Sequence, residues 1–280
     1  MLVASILVVF PFCMAFAAVS DLLSMTIANR VALVLVGTFA VLAPMTGMEW
    51  SVYGMHFAAF ALVPPAQAAI IHVDSGTDNG VGCTLREALR AARDDAPFGG
   101  CTAGISGSDT IVLNVSSITL FSTLDIESTV VINGNTGGLT TIEQTQTGGN
   151  VFFVNSSVER FEFLNLRVTG GEGPSGAGVY MGGGSSLGVI RNSTFEGNTA
   201  ALRGGAIAAF GNSSLLIKNT TFIDNRALGS PAQSPDTGGG AIYFDGDIAD
   251  INGSTFISNR ALTGDGGGAI CATGSASVGV

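Results

Sequence analysis

Phe195-Glu-Gly-Asn198 followed by Gly204-Gly-Ala-Ile207 recurs twice, as Phe222-Ile-Asp-Asn225 with Gly239-Gly-Ala-Ile242 and as Phe256-Ile-Ser-Asn259 with Gly267-Gly-Ala-Ile270. Successive Phe residues lie 27 and 34 positions apart, and successive Gly-Gly-Ala-Ile starts 35 and 28 apart. The unequal spacing has a visible source: the turn-rich stretch Gly229-Ser-Pro-Ala-Gln-Ser-Pro-Asp-Thr237 lies inside the longest interval. Self-similarity at a period of ~20–50 residues marks a stacked repeat architecture whose insertions loop out of one face.

Within each unit, short runs such as Ser214-Leu-Leu-Ile-Lys218, Ala241-Ile-Tyr-Phe244 and Ala249-Asp-Ile-Asn252 read as strands. They are bounded by Gly, Asn, Ser and Asp, which punctuate strands. No window from about residue 105 onward holds a 3.6-residue apolar period. The expected fold of residues 105–280 is therefore all-β: a right-handed parallel β-helix, a pectin-lyase-like solenoid. Phe195, Phe222 and Phe256 should form an inward aromatic stack. Asn198, Asn225 and Asn259 should form a ladder at a tight turn, where Asn tolerates left-handed backbone and bonds its own main chain. The Gly pairs admit close backbone approach. Core and corner account for all of these residues and assign them no chemistry. A weaker earlier coil reads Phe163-Leu-Asn-Leu-Arg-Val-Thr-Gly170 followed by Gly176-Ala-Gly-Val179.

The double motif resembles the repeats of polymorphic outer membrane proteins, which are surface autotransporter passengers. The resemblance implies a non-catalytic, surface-exposed or secreted β-helix of adhesin type. It further implies a place in the cell envelope and a cell-surface protein or a carbohydrate as partner.

Upstream, Ile70-Ile-His-Val-Asp-Ser-Gly-Thr-Asp78 precedes Cys83-Thr-Leu-Arg-Glu-Ala-Leu89, Cys101 and Ser108-Asp-Thr-Ile-Val-Leu113. Leu85, Ala88, Leu89 and Ala92 share one face of a short helix, with Arg86, Glu87, Arg90 and Arg93 opposite. Such a helix suits the open end of a solenoid, whose first coil otherwise exposes core and strand edges. The stretch 70–104 resembles the CSLREAI-type domain that precedes β-helices in secreted bacterial proteins, with Thr84 and Leu89 in place of Ser and Ile. That resemblance implies a Cys83–Cys101 disulfide and an oxidising compartment. Cys13 and Cys271 read as buried structural thiols.

Residues 1–63 have another character. Among them only Asp21, Arg30 and Glu49 are formally charged, and Leu2–Ser20 and Val31–Gly47 are nearly continuous apolar runs. Those lengths approach the ~17–25 residues that cross a bilayer, so two or three transmembrane-type helices are expected, with Val52–Val63 too short to span. A carboxylate at the end of such a helix is a functional candidate. The setting Ala17-Ala-Val-Ser-Asp21-Leu-Leu-Ser-Met-Thr-Ile-Ala-Asn29-Arg30, continued through Gly47-Met-Glu-Trp50 and Gly54-Met-His-Phe-Ala-Ala59, resembles the first catalytic segment of type IV prepilin peptidases. The resemblance makes Asp21 one half of an aspartic dyad. The family's second aspartate, in a Gly-x-Gly-Asp motif of a later helix, has no counterpart; Gly246-Asp247 and Gly264-Asp265 imitate the dipeptide in polar turns. Ala28 stands where the family usually has Pro. Pro64-Pro-Ala-Gln-Ala-Ala69 reads as a signal-cleavage-like junction, since Ala66 and Ala68 satisfy the small-x-small rule. The abrupt junction and the halt in mid-coil at Val280 suggest two truncated reading frames joined.

Only 11% of residues are charged, against 46% hydrophobic and a mean hydropathy of +0.48. Residues 1–63 carry −1 of the net charge of −10, leaving −9 on the rest. An acidic exported body excludes nucleic acid and anionic headgroups as partners of that part; the membrane is met through residues 1–63. A pectinolytic site would place several Asp on one strand face, often with a His. His56 and His72 both precede the coils, and Asp245, Asp247 and Asp250 match no Ca²⁺ loop, Asp250 falling out of phase with the other two. No cofactor and no zinc site are implied. Asn192-Ser-Thr194 and Asn219-Thr-Thr221 match glycosylation acceptors but read as strand and corner residues.

Overall fold

The computed structural model describes residues 68–135, 137–184, 186–229, 238–262, 267–273 and 277–279. The transmembrane-type segments expected over 1–63, with Asp21 and Cys13, lie outside the described residues. Among the described residues no helix is long and apolar enough to cross a membrane.

One coil starts on Leu187–Arg191, turns through Asn192 and Ser193 into Thr194–Glu196, turns again into Thr199–Ala200 and returns along Ile207–Phe210. The next repeats this path on Ser214–Lys218, Thr221–Ile223, Arg226–Ala227 and Ile242–Asp245. The one after uses Ile248–Asn252, Thr255–Ile257, Arg260–Ala261 and Ile270–Ala272. Each strand pairs in parallel with its counterpart one coil on, not with its neighbour in sequence. The outcome is a parallel β-helix with sheets of eight, six, six and three strands. Parallel strands stack about 4.8 Å apart, so each column of side chains climbs one residue per coil.

The register puts Phe195, Phe222 and Phe256 in one inward column of the second face, continued backward by Val168 and Ile142. The earlier coil is present, but Val168, not Phe163, takes the place of Phe195. Phe163 instead sits inward on the first face, between Ile132 and Ile190. Phe161, on the same strand, needs room: a Cβ on Gly188 of the next coil would lie 2.8 Å from its ring. The second motif aligns as expected, with Val179 opposite Ile207 and Ile207 opposite Ile242. Its first glycine takes positive φ at Gly176, Gly204 and Gly239 (+54°, +61° and +65°). Its second lets coils touch, since a Cβ on Gly205 would come within 2.2 Å of the Gly240 carbonyl oxygen.

The cap helix runs Leu85–Asp94, two residues beyond the apolar stretch that foretells it. Thr84 caps it in a reciprocal box with Glu87, and Asp95 ends it in left-handed backbone. Leu85, Ala88, Leu89, Ala91 and Ala92 are buried against the first coil. The first sheet already starts with Ile70–Val73, paired with Asp109–Leu113, so the segment ahead of the helix contributes a solenoid strand of its own.

Candidate functional site

Three side-chain groupings carry what the coils can do, beginning with the corner ladder. Asn225 Nδ2 donates to the Phe195 carbonyl at 2.9 Å and to Asn259 Oδ1 at 3.0 Å. Its own Oδ1 accepts from Asn198 Nδ2 at 3.0 Å and from the Asn198 amide at 3.2 Å. Asn198 and Asn259 repeat the pattern toward the Val168 and Phe222 carbonyls. The rings beside them stack: Phe195 and Phe222 have centroids 5.3 Å apart, Phe222 and Phe256 4.9 Å. The left-handed residue at this corner is not the Asn but the one before it: Gly197, Asp224 and Ser258, with φ of +64°, +51° and +54°. The Asn side chain therefore serves the neighbouring coils, while its predecessor makes the bend. Asn165, Asn192 and Asn219 make the other corner, all at positive φ, with Asn219 Nδ2 3.4 Å from Asn192 Oδ1.

The second grouping is the cap seam. Cys83 and Cys101 are disulfide-bonded, their Cα atoms 4.6 Å apart. Arg86 donates through Nε and a terminal nitrogen to the two oxygens of buried Asp78 (2.8 and 2.9 Å), and to the Thr123 and Ser122 carbonyls of the first coil. Asp78 also accepts from the Phe121 amide at 2.9 Å. Hydrogen bonding by Arg93 holds the Asp94 carboxyl below the usual range, while Asp94 and Glu127 raise Arg93. Burial pushes Asp109 upward, and likewise Asp125, where the Glu127 charge adds and Arg86 opposes.

The third grouping is an outward aromatic row on the Ile207–Phe210 face, which the motif pattern did not disclose. Phe153 and Tyr180 stack at 5.2 Å, and Phe210 bridges Tyr180 and Tyr243 at 5.5 and 5.6 Å. Arg203 lies over the Tyr243 ring at 4.9 Å and donates to its hydroxyl at 3.2 Å. Tyr243 is buried together with Ala208 and Cys271, a small outer cluster separate from the interior core. The signal was the outward phase of Phe153 within Phe152-Phe153-Val154 and of Tyr180 within Val179-Tyr180-Met181, which becomes readable only when the inward neighbours are fixed.

The remaining acidic candidates stay apart in role. Asp245 ends one strand, Asp247 is an exposed turn residue, and Asp250 spends Oδ1 on Asn252 within the next strand. Among the described residues no group of three His, Cys, Asp or Glu is arranged to hold a metal ion. His72 Nδ1 lies 3.2 Å from the Asn114 amide nitrogen.

The model of the Chlamydia polymorphic membrane protein repeat matches residues 192–209, 219–245 and 253–273, which are the three coils bearing the ladders. No curated protein and no solved structure matches the chain.

Proposed function

We propose that the β-helix is a non-catalytic, surface-exposed or secreted binding body of adhesin type, held at the envelope through residues 1–63. The supporting observation is the match of three successive coils to the polymorphic membrane protein repeat. A rigid stack of ladders offers a long, regular flank for contact and spends its buried polar groups on itself. Of the two partner classes, a protein surface fits the outer aromatic row better. Stacked sugars need a free ring face, and Phe153 and Tyr180 turn faces toward one another while Phe210 packs tilted against Tyr180, leaving edges and the Tyr180 hydroxyl for contact.

The test uses cells that express the full chain. Antibody against the coils is expected to label intact cells, and target cells are expected to be bound until their surface proteins are shaved with protease. Labelling only after lysis would overturn the surface placement. Adhesion abolished by glycosidases but not by protease would replace the protein partner with a glycan. Release of unsaturated or reducing sugars from pectin or a related polymer would overturn the non-catalytic reading.

A further inference from the structure

We propose that Asp109 is a proton-operated latch beneath the cap: it binds a proton to seat the cap helix and loosens that seat when ionised. The reading is independent of the adhesin proposal and rests on where the carboxylate stands. Asp109 opens an inward column of the first sheet whose later members are Val130, Phe161, Gly188, Leu215 and Ala249. A carboxylate thus occupies a slot that every later coil fills with an apolar residue or with glycine. It is 1% exposed.

Only half of its acceptor capacity is used. Oδ1 accepts from the Ala69 amide at 3.1 Å and from the Ile105 amide at 3.2 Å. Oδ2 is buried without a hydrogen-bond partner. It lies beside Gly104, the loop residue that packs on the cap helix: a Cβ placed on Gly104 would lie 2.4 Å from Oδ2, 2.8 Å from Ala92 Cα and 2.9 Å from the Ala91 carbonyl oxygen. Gly104 itself donates to that carbonyl at 3.2 Å, so the loop carrying Oδ2's neighbour is pinned to the helix.

Among the described residues no cation is paired with it. Across Gly104 stand Ala91 and Ala92 of the helix, the backbone partners are Ala69 and Thr129 just ahead of their strands, Val130 is opposite in register, and the loop 104–108 has no ionisable side chain. The charge that does act on it, Asp95 at the helix C-cap, has the same sign. Arg93 is engaged by Asp94 and Glu127, and Arg90 by Asp94 and the Phe98 ring. Burial first, then Asp95, raise the affinity of folded Asp109 for a proton above that of the unfolded chain, although its two amide donors oppose this.

The sign follows from linkage. Between the unfolded and the raised folded value, the native state holds more protons than the unfolded state, so stability falls as pH rises. The cap is tightest below the ordinary carboxylate range and loosest above the folded value. The step is a simple protonation: solvent supplies H⁺ to Oδ2, the negative charge disappears, and no other bond changes.

The full chain in detergent micelles provides the test, by hydrogen exchange at the Ala69 and Ile105 amides beside a carbon-detected titration of the Asp109 carboxyl. Protection factors are expected to fall up to about tenfold per pH unit across the window between the two values. In Asp109→Asn, which removes the charge and keeps Oδ1, that fall should vanish. Asp95→Asn should move the window to lower pH without abolishing it, which serves if the first variant fails to fold. A carboxyl midpoint at or below the ordinary range, or a pH profile identical in the wild type and Asp109→Asn, overturns the latch.

Discussion

Asn225 commits both of its amide hydrogens and its carbonyl oxygen to two other coils. An isolated buried amide costs free energy; one stacked on copies of itself has each donor met by the oxygen of the next. Asn225→Ala leaves the Phe195 carbonyl and the Asn198 side chain and amide without their partner. Each orphaned group costs about 1–3 kcal/mol before the coils relax, so a net loss of about 3 kcal/mol is expected. Asn259→Ala, at a half-buried rung, should lose about 1 kcal/mol. Amide exchange localised to the two flanking coils is the appropriate measure, because a solenoid opens locally and need not unfold in one step. The neighbouring ring fits the same logic: Phe222 lies between Phe195 and Phe256, and truncation there would open a cavity in the middle of the column. The bend at this corner belongs to Gly197, Asp224 and Ser258, and one glycine among three residue types is a weak letter in the repeat. The strong letters, Phe and Asn, report stacking between coils. That is why the corner was legible while its left-handed residue was assigned one position late.

At the scale of elements, periodicity disclosed whatever recurs and concealed whatever happens once. The parallel strands, the Phe column and the Gly pairs repeat, and the register of the three motif-bearing coils could be read from spacing, whereas the weaker earlier coil was misplaced on Phe163 instead of Val168. The cap helix was readable from its apolar face; its capping box of Thr84 and Glu87 emerged only with the structure. The helix's anchor, Asp78, was not readable, because Asp78 and Arg86 meet through a loop that only the fold closes. The same holds for Asp109, which looks like an ordinary strand start until the register turns it inward. Arg86 joins the helix to buried Asp78 and to two carbonyls of the first coil. Arg86→Ala should therefore destabilise the cap by about 3–5 kcal/mol, chiefly by leaving Asp78 as a buried charge without its counter-ion. Arg86→Lys should recover only part of this, since an ammonium cannot form the two-pronged contact. Limited proteolysis within residues 74–104, with the disulfide intact, reports the loss. Equal resistance in all three proteins would mean that Cys83–Cys101, by itself worth about 3 kcal/mol for a loop of this length, holds the cap unaided.

For the whole molecule, the open question is whether Asp21 confers a proteolytic activity on the chain. Aspartic proteolysis divides its labour: one carboxylate activates water while the other protonates the leaving amine, and their proximity lets them share a proton. The resemblance of the sequence around Asp21 to prepilin peptidases would supply one such carboxylate. The other belongs to a later apolar helix in that family, whereas residues 68–280 of this chain, wherever described, wind as solenoid coils and their cap. Asp247, in the nearest imitation of the second motif, is fixed in an exposed turn between two stacked strands. The expected outcome is that the full chain, expressed with a prepilin substrate in a host lacking its own peptidase, leaves the leader uncut, as does Asp21→Asn. Leader cleavage by the wild type that disappears in Asp21→Asn would refute this and would require a second carboxylate.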